Sequence, residues 1–257
     1  MMKIIKSHWK FLLFVLICSI VGGIFTGIYT INSSDESIIN EAIKQVDSKE
    51  LIVVITTIQI IIYSAFCSIF GSILSEKTKL WKPFTANKIA IISVVVITIF
   101  SGILLIIGDV YIFGSFNEQI KSSYVNKPTI ESIIASFTYG GIIEEVMLRL
   151  FLMSLLSFVI YKIFLRKKEE KPVYVYIISN VISALAFALL HIPATITLFG
   201  ELTPLLFIRC IFMNGLFGLA FGWLYRKYGI GYAMLGHFGC HFISMICQIK
   251  CNTKNKD

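Results

Sequence analysis

Charged side chains are scarce in this chain. Asp, Glu, Lys and Arg make up 15% of its 257 residues, against about 25% in a typical soluble domain. With 56% hydrophobic residues and a mean hydropathy of +0.82, that scarcity excludes a soluble globular protein. The six cysteines, Cys18, Cys67, Cys210, Cys240, Cys247 and Cys251, contain no CxxC pair and no disulfide-like spacing, which excludes a disulfide scaffold. They read instead as small apolar residues inside helices. No internal repeat and no low-complexity tract is present. No segment between the apolar runs is long enough for a separate soluble domain, so residues 1–257 read as a single integral membrane domain.

What the chain does have is apolar runs of about 20 residues, each long enough to cross a hydrocarbon core of about 30 Å as a helix. Seven are expected, at roughly 10–31, 51–75, 89–108, 132–165, 173–192, 205–225 and 230–249. The expected architecture is all-α, a polytopic transmembrane helical bundle of seven or eight spans. The first run follows Lys3, Lys6 and Lys10, but Phe11–Ile31 exceeds the apolar core of a signal peptide and reads as a retained anchor.

The net charge of +8 is not a nucleic-acid signal, because it is sorted by membrane side. Lys3, Lys6 and Lys10; Lys77, Lys79, Lys82 and Lys88; Arg166, Lys167, Lys168 and Lys171; and Arg226 and Lys227 fall on alternate connections. Segments 32–50 and 109–131 are acidic or balanced, with Asp35, Glu36, Glu41, Asp47 and Glu50 in the first and Asp109, Glu118 and Glu131 in the second. The positive-inside rule puts the amino terminus and the basic loops in the cytoplasm. Seven spans would then leave Lys250, Lys254 and Lys256 outside, so either the last segment does not fully cross or the count is off by one.

Against this background Glu144, Glu145 and Arg149 stand out, three ionisable groups within six residues of the fourth apolar run. One charge at the bilayer centre costs from about 3 to well over 10 kcal/mol. Residues four apart share a helix face, so Glu145 and Arg149 can pair and offset much of that cost. Glu144 is turned about 100° away and is the candidate working carboxylate. The plainer reading is a packing ion pair plus one acid in a wet cavity.

Three of the four histidines lie in or at the ends of apolar runs. His191 closes the fifth run just before Pro193, with Phe187 one turn earlier on the same face. His237 and His241 are four apart in the last run and project from one face, the spacing by which a helix offers two imidazoles to a metal. The glutamate of an H-E-x-x-H protease is absent, since Phe238 holds that place. His8, among Lys6, Trp9 and Lys10, reads as an interfacial anchor. Ser136, Thr138, Asn180, Ser183 and Asn214 read as interhelical hydrogen-bond partners. Gly140, Gly141, Gly215, Gly218 and Gly222 read as places of close helix approach. A carboxylate and an imidazole can hold a water and take its proton, while a second imidazole stabilises the oxyanion formed on a carbonyl. Those parts describe hydrolysis of an amide bond inside the membrane.

In order along the chain, Glu144-Glu145-x-x-x-Arg149, Phe187-x-x-x-His191 and His237-x-x-x-His241 resemble the three motifs of the CPBP family. This family comprises CAAX-processing and bacteriocin-processing (Abi-type) proteins, often called intramembrane metalloproteases. The resemblance covers about residues 130–245; the first three spans carry no motif and are expected to add only membrane architecture. It implies a bacterial-type membrane endopeptidase in which Glu144 and His191 activate water, His237 helps stabilise the oxyanion, and Glu145 and Arg149 support the site. Its implied partners are a peptide or membrane-protein substrate and the lipid bilayer. Contexts implied for relatives include bacteriocin immunity, pheromone processing and regulated proteolysis.

One position departs from that pattern: His241 occupies a place where the family usually has Asn or Asp. A neutral imidazole still donates one hydrogen bond. It also adds a third imidazole, so a divalent metal such as zinc, held by Glu144, His191, His237 and His241, and a metal-free site both remain open. Two other readings share these residues: a non-catalytic immunity or sensor protein that kept the architecture, and a metal or proton transporter.

Overall fold

The computed structural model describes residues 2–33, 36–46, 48–122, 127–165 and 172–254. Seven of its helices are long and apolar enough to cross a membrane: α1 (Trp9–Ser33), α2 (Lys49–Thr78), α3 (Lys88–Phe116), α4 (Ile130–Phe164), α5 (Val173–Phe199), α6 (Pro204–Tyr228) and α7 (Ile230–Gln248). The protein is therefore an all-α integral membrane bundle, with no strand among the described residues. Short helices at Met2–Ser7, Glu36–Val46 and Glu118–Ser122 lie between or before the spans.

The apolar residues divide by face. Ile92, Val96 and Ile99 on α3 and Ile177, Val181 and Leu185 on α5 are exposed toward the lipid, whereas Ile143, Val146, Leu150, Phe221 and Leu224 are buried between helices. Lipid tails give apolar side chains no reason to leave them, so close packing is carried largely by small residues. Gly23 and Gly27 form a small-xxx-small pair on α1. A β-carbon at either would meet a backbone Cα of α2, at 2.7 Å from Thr57 or 2.9 Å from Val53. Gly218 and Gly222 likewise let α6 approach α5, the first against the Ala184 backbone and the second against the Asn180 side chain, but Gly215 faces open space and is no packing contact. Asn180 donates across to Leu219 O and Ser183 to Leu148 O. Thr138 and Asn214 differ from expectation, because each bonds a carbonyl of its own helix, Ile134 and Cys210.

Two spans run past their expected ends. The third continues from 108 to Phe116 through a π-helical stretch, Leu105–Phe113, so Asp109 lies buried inside the bundle and not in a loop. The fifth continues beyond 192 to Phe199 after a break at His191. The reason is the same in both. A single polar residue or proline interrupts an apolar pattern without ending the helix when a neighbour satisfies the interruption.

Two of the expected basic clusters meet at one end, where Lys82 Nζ donates to Arg226 O at 2.9 Å and Lys227 O at 2.7 Å. Burial, and then Arg226 alongside, lower the pKa of this ammonium. The cluster at 166–171 and the side chains of Lys250, Lys254 and Lys256 lie outside the described residues. His8 is buried at the same end, 3.1 Å from Glu76 Oε1 and stacked on Trp81, and so ties the amino-terminal helix to α2.

Candidate active site

Most of α4 between Ser136 and Met153 is wound as π-helix, interrupted at Glu145. Wide turns of this kind are uncommon and concentrate at functional sites. The acidic pair sits at the junction of the two wide segments. Glu145 and Arg149 are fully buried, with Arg149 Nη1 donating to Glu145 Oε1 at 3.0 Å. Taking two ions out of water costs several kcal/mol each, recovered only when further polar contacts satisfy them. Arg149 Nη2 donates to Gly218 O at 3.1 Å, and the guanidinium lies over the Phe187 ring at 4.5 Å. Gly218 permits that approach, because a β-carbon there would lie 3.2 Å from Arg149 Nη2.

The same Glu145 oxygen receives a second bond. His237 Nδ1 donates to Glu145 Oε1 at 2.9 Å, which places the proton of a neutral ring on Nδ1 and leaves Nε2 as the lone-pair nitrogen. That Nε2 faces Glu144 Oε2 at 3.9 Å. Phe221 stacks on the His237 ring, 4.6 Å between centroids, and holds its plane.

His191 reaches the equivalent state by a different route. A regular α-helix would bond its N–H to Phe187 O, four residues back. Instead the helix tightens, and His191 N donates to Ala188 O at 3.1 Å. Phe187 O is thereby released and accepts from His191 Nδ1 at 2.8 Å. Pro193, which has no N–H, sits in the first turn of the following segment and favours this break. The result is again a lone pair on Nε2, 3.9 Å from Glu144 Oε2.

Three of the six expected site residues thus converge directly: Glu144 is equidistant from two correctly oriented imidazoles carried by α5 and α7. A separation of 3.9 Å is too long for a direct hydrogen bond and short enough for one water to touch both groups. Glu145 and Arg149 lie behind His237 and orient it. His241 stacks on His237 at 4.8 Å, but its Nε2 lies against Gly140, where a β-carbon would come within 2.5 Å.

Metal-ligand geometry is a separate question. Zinc ligands at about 2.0–2.1 Å in a tetrahedron stand about 3.3 Å apart. Here Glu144 Oε2 stands 3.9 Å from each Nε2, wider than that spacing, and His241 Nε2 is turned to Gly140. Among the described residues no group of three or more His, Cys, Asp or Glu has a metal-holding arrangement. The donors as placed stand wider than a bound zinc would hold them.

The motif-free spans do more than shape the membrane domain. Tyr63 of α2 and Tyr139 of α4 pack against the same core, within reach of one another and near Glu144. Asp109 of α3 pairs with Arg209 of α6, Nε to Oδ1 at 2.8 Å and Nη2 to Oδ2, beside a cavity that His191 also lines. Arg209 was legible as a lone charge in an apolar run, by default a functional candidate. Nothing in the sequence marks Tyr63.

A family model described as Rce1-like, type II CAAX prenyl endopeptidase Rce1-like, matches residues 126–243. No curated protein and no solved structure matches the chain.

Proposed function

We propose that this chain, whose residues 126–243 match the Rce1-like CAAX endopeptidase model, is an intramembrane endopeptidase that hydrolyses a peptide bond of a membrane-associated peptide or protein. The observation that supports this most is the 3.9 Å separation of Glu144 Oε2 from both His191 Nε2 and His237 Nε2, with the other nitrogen of each ring held by an acceptor.

In the proposed reaction Glu144 and His191 hold a water between them. Its oxygen attacks the substrate carbonyl carbon as one proton passes to this pair. His237, protonated on Nε2 and backed by Glu145, donates to the developing oxyanion. The tetrahedral intermediate collapses, the C–N bond breaks, and the amine nitrogen leaves with the proton. Two carboxylates and one guanidinium leave one negative charge, which a single proton shared among Glu144, His191 and His237 balances. No step uses a metal, so hydrolysis is expected to persist in excess chelator.

The test compares wild-type protein with Glu144→Gln and His191→Ala in proteoliposomes at matched amounts, with new peptide termini read by mass spectrometry. Loss of a general base or acid typically costs about 10²–10⁴-fold in rate. Cleavage or phenotype that survives both changes would transfer the site to a non-catalytic immunity or sensor role.

A further inference from the structure

Beside His191, between α3, α5 and α6, lies a cavity of about 200 Å³ whose lining includes Asp109, Thr195, Leu198, Arg209 and Asn214. It differs in kind from the larger cavity of about 420 Å³ near the basic end, which is lined by Phe11, Phe14, Trp81, Phe84 and Phe238 among others. The smaller one carries a bidentate ion pair in its wall: Asp109 is fully buried, while Arg209 keeps 17% of its side chain exposed. Holding α3 to α6 does not need charges, because well-packed apolar residues do so without the desolvation cost. Within a membrane, polar groups of this kind line paths and binding sites.

The chemistry of the wall indicates what it would take. The carboxylate–guanidinium pair has no net charge; its part-exposed member, Arg209, offers N–H donors, and the amide oxygen of Asn214 offers an acceptor. That combination complements a peptide unit, which has one donor and one acceptor. Asn214, anchored through its amide to Cys210 O at 2.9 Å, adds a second polar group. The volume falls below the roughly 300–1,000 Å³ of a small-molecule pocket, and suits a residue or two of extended chain.

We propose that this cavity is a peptide-binding subsite, taking the one or two substrate residues next to the scissile bond, with their backbone groups facing the Asp109–Arg209 pair and Asn214. It rests on the endopeptidase reading and names where that substrate lies. The probe is a biotinylated random decapeptide library, applied to full-length Glu144→Gln protein in nanodiscs. One sample carries p-benzoyl-phenylalanine in place of Leu198, which lines the cavity, and a control carries it in place of Ile177, which faces lipid.

Photolabelling from position 198 should exceed that from 177. It should fall about tenfold in Arg209→Lys and in the milder Asn214→Ala, as expected for loss of a hydrogen bond to a charged or buried group. Equal labelling at 198 and 177, or labelling indifferent to both substitutions, overturns the subsite. Wild-type protein given the same library separates the two ideas. Cleavage without labelling at 198 removes the subsite and keeps the hydrolase. Labelling without cleavage keeps a peptide site and removes the hydrolase. Absence of both removes both.

Discussion

Glu145 Oε1 accepts from Arg149 and from His237 at once, so this carboxylate holds both the field and the orientation of the site. Removing one partner of a fully buried pair costs about 3–5 kcal/mol, because the other charge is left uncompensated. Glu145→Ala should therefore lower thermal stability in detergent by that amount, whereas Glu144→Gln, at a partly exposed carboxylate, should leave the melting temperature nearly unchanged while removing cleavage. Equal destabilisation by both would contradict the division of labour. Gly140 offers a second residue-scale test. A methyl there would meet His241 Nε2 at 2.5 Å, pushing a ring that stacks on His237. Overpacking of this kind costs about 1–3 kcal/mol. Gly140→Ala should slow turnover, and adding His241→Asn, a shorter side chain, should restore it; failure of the double variant to recover would count against the contact.

At the scale of the element, the geometry of the candidate site depends on where helices depart from regularity. The break in α5 sets the His191 tautomer, because it frees Phe187 O for the imidazole. Replacing Pro193 with Ala supplies an N–H and favours an unbroken helix. Misplacing a reacting group by about 1 Å can cost about 10²-fold, so Pro193→Ala should reduce kcat substantially with KM little changed. A variant with wild-type kcat would show that the proline is dispensable to the break. The α1–α2 contact makes a contrasting case. Gly23→Leu places bulk against the Thr57 backbone and should cut the melting temperature, with a smaller effect on kcat, since none of the candidate site residues lies on α1. The π-helical winding of α4 has no single residue to which it can be assigned.

At the scale of the molecule, side chains from α4, α5 and α7 meet in one site, with Tyr63 of α2 near Glu144 and Asp109 of α3 lining the cavity beside His191. Seven spans that all cross would place the start of α1 and the end of α7 on opposite faces. A cysteine introduced at Lys79 or Lys227, at the basic end, should be labelled by an impermeant thiol reagent from the cytoplasmic side only. Labelling from the other side would invert the topology. Chelator treatment of active proteoliposomes should leave the rate unchanged, and loss of activity rescued by zinc would overturn the metal-free reaction.

The membrane class, the seven apolar runs and the pairing of Glu145 with Arg149 were legible in the chain itself. Hydropathy is summed over about 20 residues and tolerates local error, and an i, i+4 pair depends only on the helix repeat. The same local logic flagged Glu144, His191, His237 and His241 as costly residues in an apolar setting. It failed where partners come from distant segments. Asp109 read as a loop acid because its Arg209 partner lies 100 positions away, Tyr63 carried no mark at all, and the orientation of His241 toward Gly140 follows only from how α7 crosses α4. Which nitrogen of each imidazole faces Glu144 was likewise left to tertiary structure. A ring's tautomer is set by the acceptor packed against its other nitrogen, and that acceptor is supplied by the folded bundle.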